Sequence, residues 1–217
     1  MGILRNSAAL GTWRLDPPRD VGTILRVMAQ DDSEQQLDED GLVVQQYMSQ
    51  VLLVLPPEGF GDQILRYARS CLYNVHVGSV SVAVDPETEV KGRLQDEFLV
   101  DQGLAGQDMS DYSGILIAGN DGESPLANES ALLDLVRTAD KDGKLIAAWG
   151  SAVAVLARAG VLKGRKVTGS PNVRDEVIQA KGKYSGRQTE VCGHIVTALD
   201  EGAGMRFGQA LAEYVRI

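Results

Sequence analysis

Three apolar runs limit most sharply what this chain can fold into: Val51-Leu52-Leu53-Val54-Leu55, Gly114-Ile115-Leu116-Ile117-Ala118 and Lys144-Leu145-Ile146-Ala147-Ala148-Trp149. Each has the length of a strand, and none alternates apolar with polar residues. A strand of that kind is buried on both faces, as in a parallel sheet covered by helices. A glycine-bearing loop follows each run: Pro56 to Gly61, Gly119-Asn120-Asp121-Gly122, and Trp149-Gly150-Ser151. Segments of helical spacing lie between. Ile64, Leu65, Ala68, Cys71 and Leu72 fall on one face of a helix starting near Asp62. Ala131 to Ala139 predicts a second helix, Ala152 to Ala159 a third with Gly160 as its C-cap, and Gly208 to Val215 a last one. Val75 to Val82 reads as a further strand. Strand, loop and helix in alternation predict an α/β fold, doubly wound, with a mostly parallel sheet and helices on both faces.

In an open parallel sheet, ligands sit beyond the carboxyl ends of the strands. That rule makes Gly61, Gly119, Asn120, Gly150 and Ser151 the candidate pocket residues. Exposed N–H groups at the start of the Ser151 helix would favour an anion. Ordinary tight turns account for the same glycines.

Residues 1–49 differ in texture. Asp31-Asp32-Ser33-Glu34 and Asp38-Glu39-Asp40 punctuate a stretch with little apolar periodicity, the mark of a solvated acidic extension or arm ahead of a domain over residues 50–217. The net charge is −9. Nucleic acid and anionic membrane surfaces are therefore not expected partners, because phosphate binding needs clustered Lys and Arg. No apolar run reaches the roughly 18 residues of a membrane span. No secretory signal opens the chain, so a cytoplasmic location is expected. Cys71 and Cys192, with His76 and His194, are too scattered for a disulfide framework or a metal-ligand pattern. No metal and no cofactor are expected.

The residues from Lys144 to Trp149, followed by Val155-Leu156-Ala157-Arg158-Ala159-Gly160-Val161-Leu162-Lys163-Gly164-Arg165-Lys166-Val167-Thr168, resemble the central signature of the ThiJ/PfpI superfamily. Asp111 to Gly119 resembles the family strand that ends in Pro-Gly-Gly. Gly193 to Ala198 resembles a later family strand. The resemblance spans about residues 50–217 and implies a flavodoxin-like fold, a relation to class I glutamine amidotransferases, and a homodimer.

It also implies a chemistry: a strained elbow cysteine, an acidic residue after the first strand, and in many members a histidine. A helix N-terminus activates such a thiol. Counting back from Gly160, the cysteine position is Gly150, and Ser151 stands where histidine usually follows. Aligned on Phe60 and Asp62, the acidic position is Gly61. A histidine found before a proline in some members corresponds to Ser170, before Pro171, and Ser170 joins the candidate pocket residues. The implied reading is a non-catalytic relative acting as an interaction or structural protein or a small-ligand module, with residues 1–49 offered to a protein partner. The alternative is a hydrolase or small-aldehyde-processing enzyme with a rearranged site that recruits Ser151 or Glu58. Against that alternative, Ser151 is expected to cap its helix with its hydroxyl, and Asp62 to cap the helix it starts. Glu58 is the residue that could line the site. Trp149 is expected to fill it by packing, Cys71 to lie in the core, and the basic run Arg158, Lys163, Arg165 and Lys166 to be a solvated helix end and turn.

Overall fold

In the computed structural model, residues 47, 49–86, 89–94, 97–120 and 122–216 are described. Most of the acidic arm therefore lies outside the described residues. The chain runs through β1 (Ser49–Val54), β2 (Glu58–Phe60), α1 (Asp62–Tyr73), β3 (Val77–Ala83), β4 (Val90–Gly92), β5 (Glu97–Phe98), β6 (Gln102–Gly103), β7 (Gly114–Ile117), α2 (Ser130–Lys141) and β8 (Leu145–Trp149). Then follow α3 (Val153–Ala159), β9 (Lys166–Val167), α4 (Arg174–Gln179), β10 (Lys183–Tyr184), β11 (Thr189–Cys192), β12 (Ile195–Ala198) and α5 (Gly204–Val215). Short 3₁₀ turns at Gly150–Ala152, Pro171–Val173 and Glu201–Ala203 lead into α3, α4 and α5.

The main sheet has the order β11-β12-β8-β7-β1-β3-β6. All its pairings are parallel except that of β11 with β12. The apolar runs become β1, β7 and β8, and their residues divide between two core layers. Leu52, Val54, Ile115, Ile117, Ile146 and Ala148 meet Leu132, Val136, Leu156 and Val177 from α2, α3 and α4. Val51, Leu53, Leu116, Leu145, Ala147 and Trp149 meet Ile64, Ala68, Phe207 and Leu211 from α1 and α5. With both faces covered, no strand of the centre needs a polar side, which is why the runs do not alternate. The predicted doubly wound, flavodoxin-like arrangement is the one observed. Among the described residues no helix is long and apolar enough to cross a membrane.

Some boundaries differ from the sequence reading. The loop expected from Pro56 to Gly61 contains β2, which pairs with β4 in a small second sheet completed by β5. Three residues around a glycine are too few to show a period. The third strand begins at Val77 rather than Val75, because His76 takes a positive φ of 58° and ends the turn. The last helix begins at Gly204, four residues before the predicted start. Gly208 suggests a helix break, yet it sits inside α5 for a packing reason. A Cβ there would stand 2.8 Å from both the Tyr67 carbonyl oxygen and the Cys71 Sγ of α1. Gly160 caps α3 in the left-handed conformation, φ 80°, as expected.

β1 lies between β3 and β7, so the chain winds outward on one side of β1 and then returns to the other. The strand order thus reverses at β1 and β7, and a crevice opens beyond their carboxyl ends.

Candidate functional site

Loops leaving β1, β7 and β8 converge on that crevice. The Gly61 N–H donates to the Gly119 carbonyl at 3.2 Å, and the Ser151 N–H donates to the Asn120 carbonyl at 2.9 Å. The Ser170 N–H donates to the Gly150 carbonyl at 3.2 Å. The structure thus brings together all six predicted pocket residues: Gly61, Gly119, Asn120, Gly150, Ser151 and Ser170.

Gly150 is the elbow between β8 and α3. Its φ is +57°, a left-handed value that disfavours any side chain. Independently, a Cβ at this position would lie 2.5 Å from the Asn120 carbonyl oxygen. Backbone occupies the place where a nucleophile would begin.

Ser151 is fully buried. Its hydroxyl donates to Asn120 Oδ1 at 2.7 Å and accepts from the Asn120 N–H at 3.2 Å. The expectation that it caps the helix is corrected: no side chain caps either the 3₁₀ turn or α3. Its hydroxyl is drawn instead to the neighbouring loop, where Asn120 offers both a donor and an acceptor. Asn120 Oδ1 also accepts from the Gly122 N–H at 3.0 Å. On the other side, Ser170 Oγ donates to Asn172 Oδ1, and Asn172 Nδ2 donates to the Gly122 carbonyl at 2.5 Å. The loop after β7 is therefore clamped from two directions.

Asp62 also departs from expectation. Gly61 is the N-cap of α1, without a side-chain cap. The Asp62 carboxylate, 4% exposed, accepts from the Leu94 N–H at 2.8 Å and so ties α1 to the segment after β4. It still lies in the first turn, where a negative charge suits the helix dipole. Glu58 is exposed on β2 and is not among the residues lining the crevice. Trp149 packs as expected, edge to face on Phe207 with ring centroids 5.8 Å apart. Its buried indole N–H finds no acceptor among the described residues.

The crevice residue that the sequence reading missed is Glu201, in the 3₁₀ turn after β12. Its Cγ lies 2.8 Å, and its Oε1 3.2 Å, from where a Cβ on Gly61 would stand. Oε1 accepts from the Gln63 N–H in the first turn of α1 at 3.2 Å. Oε2 lies 3.6 Å from an Arg93 guanidinium nitrogen. A carboxylate from a distant loop thus fills the space beside Gly61, the position where the family resemblance looks for an acid. A signal was available: Asp200-Glu201-Gly202 comes one residue after a strand, so it is a fourth loop at the carboxyl end of the sheet. With Glu201 in place, only about 10 Å³ of open space remains between Gly61, Asn120, Gly150 and Glu201. That holds one water at most.

The histidines and the basic run lie elsewhere. His194 Nε2 is 2.7 Å from Asp140 Oδ1, which Arg165 also contacts. The His194 carbonyl accepts from the Ile146 N–H, near the amino end of β8 and away from the elbow. Arg158 pairs with Glu176 at 3.2 Å, and Lys166 with Glu190 at 3.2 Å. Arg158, Lys163 and Lys166 are exposed, as expected of a solvated helix end and turn, and Arg158, Arg165 and Lys166 also form ion pairs there. Cys71 is half-buried, and burial pushes its thiol pKa up. Among the described residues no cluster of three or more His, Cys, Asp or Glu is placed to hold a metal. A larger hollow of about 340 Å³ lies between α2 and the segment before β7, open and apart from the elbow.

The model of the DJ-1/PfpI family matches residues 49–214. The chain is 29% identical over 163 residues to an uncharacterised protein of Methanocaldococcus jannaschii, covering 74% of this chain and 79% of that protein. It is 25% identical over 167 residues to protein dj-1beta of Drosophila melanogaster, covering 76% and 89%. Among solved structures, a ThiJ/PfpI domain protein from Brachyspira murdochii superposes with a TM-score of 0.72 at 18% identity, over 77% of this chain and 96% of that one. At that identity the likeness shows the shared fold.

Proposed function

Because the chain belongs to the DJ-1/PfpI family, its chemistry has to be judged at the elbow after β8, and we propose that it is a non-catalytic member that works by association rather than by turnover. The observation that carries this reading is Gly150: a glycine at φ +57° with a backbone oxygen 2.5 Å from its Cβ position. The elbow supplies neither a nucleophile nor room for one. Ser151 offers a hydroxyl, but both its hydrogen bonds go to Asn120, and among the described residues no base touches it. A serine without a base is a poor nucleophile. Space for one water supports an interaction role over small-ligand binding. In this reading the protein is cytoplasmic, pairs with a second copy of itself, and offers residues 1–49 to a partner protein.

The test is turnover of a panel of glyoxals, esters and small peptides at high protein concentration, by the wild type and by Ser151→Ala. The expected result is a rate equal to that of buffer in both cases. Turnover by the wild type that Ser151→Ala abolishes would overturn the reading in favour of a rearranged hydrolase.

A further inference from the structure

We propose that the ribbon formed by β9 and β10 is a docking surface for an acidic segment of a partner protein. The inference goes beyond the absence of catalysis, and it uses none of the crevice residues. Residues 161–187 carry seven Lys and Arg against two carboxylates, Asp175 and Glu176, a net +5 within a chain of −9. The fold gathers cations that the sequence holds in two groups. β9 and β10 pair in parallel, with Lys166 opposite Lys183. The Gly164 N–H donates to the Lys181 carbonyl and the Lys183 N–H to the Arg165 carbonyl, both at 2.8 Å. Those bonds lay the turn carrying Lys163 beside the turn carrying Lys181. Arg187 joins through Glu190, whose Oε1 lies 3.2 Å from Lys166 Nζ and 3.6 Å from Arg187 Nε. Lys163, Lys166, Lys181, Lys183 and Arg187 are all exposed. Among the described residues Glu190 is the one carboxylate that pairs with any of the five.

Like charges directly opposite each other on neighbouring strands are destabilising. Lys183 nevertheless stands opposite Lys166, and among the described residues it gains no ion pair in return. The cluster therefore costs the fold something and has charge left over for a partner. Charge also selects that partner. At physiological ionic strength screening takes hold within about 8 Å, so a short segment lying on the ribbon feels its cations and little of the acidic remainder. A nucleic acid or a membrane would extend past the ribbon, over a chain of the opposite balance. Ile178, 51% exposed near the end of α4, borders the lysines, and its carbonyl accepts from the Lys181 N–H at 2.9 Å. It offers an apolar contact that a protein side chain can use and a phosphate cannot. The segment that fits is one of carboxylates with an apolar residue among them.

The probe is a short fluorescein-labelled peptide of glutamates around one leucine, titrated with the full-length protein at low salt and followed by anisotropy, beside a labelled single-stranded DNA of equal charge. Peptide binding is expected to weaken as salt rises and to fall about tenfold in Lys181→Glu/Lys183→Glu. Lys141→Glu/Arg216→Glu reverses two exposed cations elsewhere, changes the net charge equally, and should bind as the wild type does. Equal losses in the two double variants would show an effect of bulk charge alone and overturn the proposal. Absence of peptide binding by the wild type overturns it as well. So does DNA bound more tightly than the peptide, which would make the ribbon a nucleic-acid surface. Lys183→Glu alone supplies a second readout that needs no ligand. It exchanges a like-charge pair with Lys166 for an opposite one, so the melting temperature should rise. A melting temperature unchanged or lowered would show that the two lysines do not oppose each other, and the cluster would lose its basis.

Discussion

Ser151 and Asn120 exchange three hydrogen bonds between the loops after β8 and β7. Removing the Asn120 side chain takes the acceptor from the buried Ser151 hydroxyl, and removing that hydroxyl takes the acceptor from the Asn120 N–H. Each orphaned group of this kind costs about 1–3 kcal/mol. Ser151→Ala is therefore expected to lower the unfolding free energy by about that amount. With Asn120→Ala it should show a coupling of about 0.5–3 kcal/mol in a double-mutant cycle read by urea denaturation. Additive losses would mean that the two side chains are not partners. At this scale the sequence was informative wherever spacing alone fixes a position. Gly150 lies ten residues before Gly160 along one continuous strand–helix unit, so its place at the elbow could be counted. Glu201 could not be found that way. Its partner Gln63 is 138 positions distant, and the two meet only because β12 is laid beside β8 with α1 and α5 against the same face. The hydroxyl of Ser151 was misjudged for a related reason: a local cap competes with a long-range partner that the sequence does not display.

At the scale of elements, α1 and α5 pack closely because Gly208 offers no side chain. The atom a Cβ would meet is the Tyr67 carbonyl oxygen, part of the backbone of α1, with the Cys71 sulfur beside it. A backbone oxygen inside a helix cannot turn aside as a side chain can. Gly208→Ala is therefore expected to destabilise by about 1–3 kcal/mol, the usual range for overpacking, even though alanine is the better helix former. A gain in melting temperature would show that helix propensity outweighs the contact. The same glycine delayed the predicted start of α5. The long elements were legible because burial on both faces leaves an unbroken apolar run, and β1, β7 and β8 fall within a residue or two of those runs. β2, β5, β6, β9 and β10 have two or three residues each. A strand that short carries no period, and only pairing defines it.

At the scale of the molecule, the net charge of −9 is shared between the acidic arm and a family fold whose strands, among the described residues, begin at Ser49. The acidic stretches at Asp31 to Glu34 and Asp38 to Asp40 belong to the N-terminal arm and lie outside the described residues. If they serve association, deleting residues 1–45 should leave the melting temperature of the domain within a few degrees and reduce the native mass of the assembly recovered from the protein's own cells. An unchanged native mass would remove the arm from the interaction. The fold was readable at this scale because one chain-long alternation of strand and helix admits few topologies. An assembly state is set by surfaces, whose composition is not periodic, and it left no comparable pattern.

The proposed loss of catalysis rests on the elbow, where Gly150 has a positive φ and the Asn120 carbonyl oxygen stands against its Cβ position. The most direct test is the unfolding free energy of Gly150→Cys beside Gly150→Ala. Both substitutions impose a positive φ on a residue with a Cβ and press that atom on the Asn120 carbonyl. Both are expected to lose stability together, by about 1–3 kcal/mol or more, with the cysteine variant gaining no turnover. A Gly150→Cys protein as stable as the wild type, with a thiol that reacts rapidly at neutral pH, would contradict the account: the elbow would still be shaped for a cysteine.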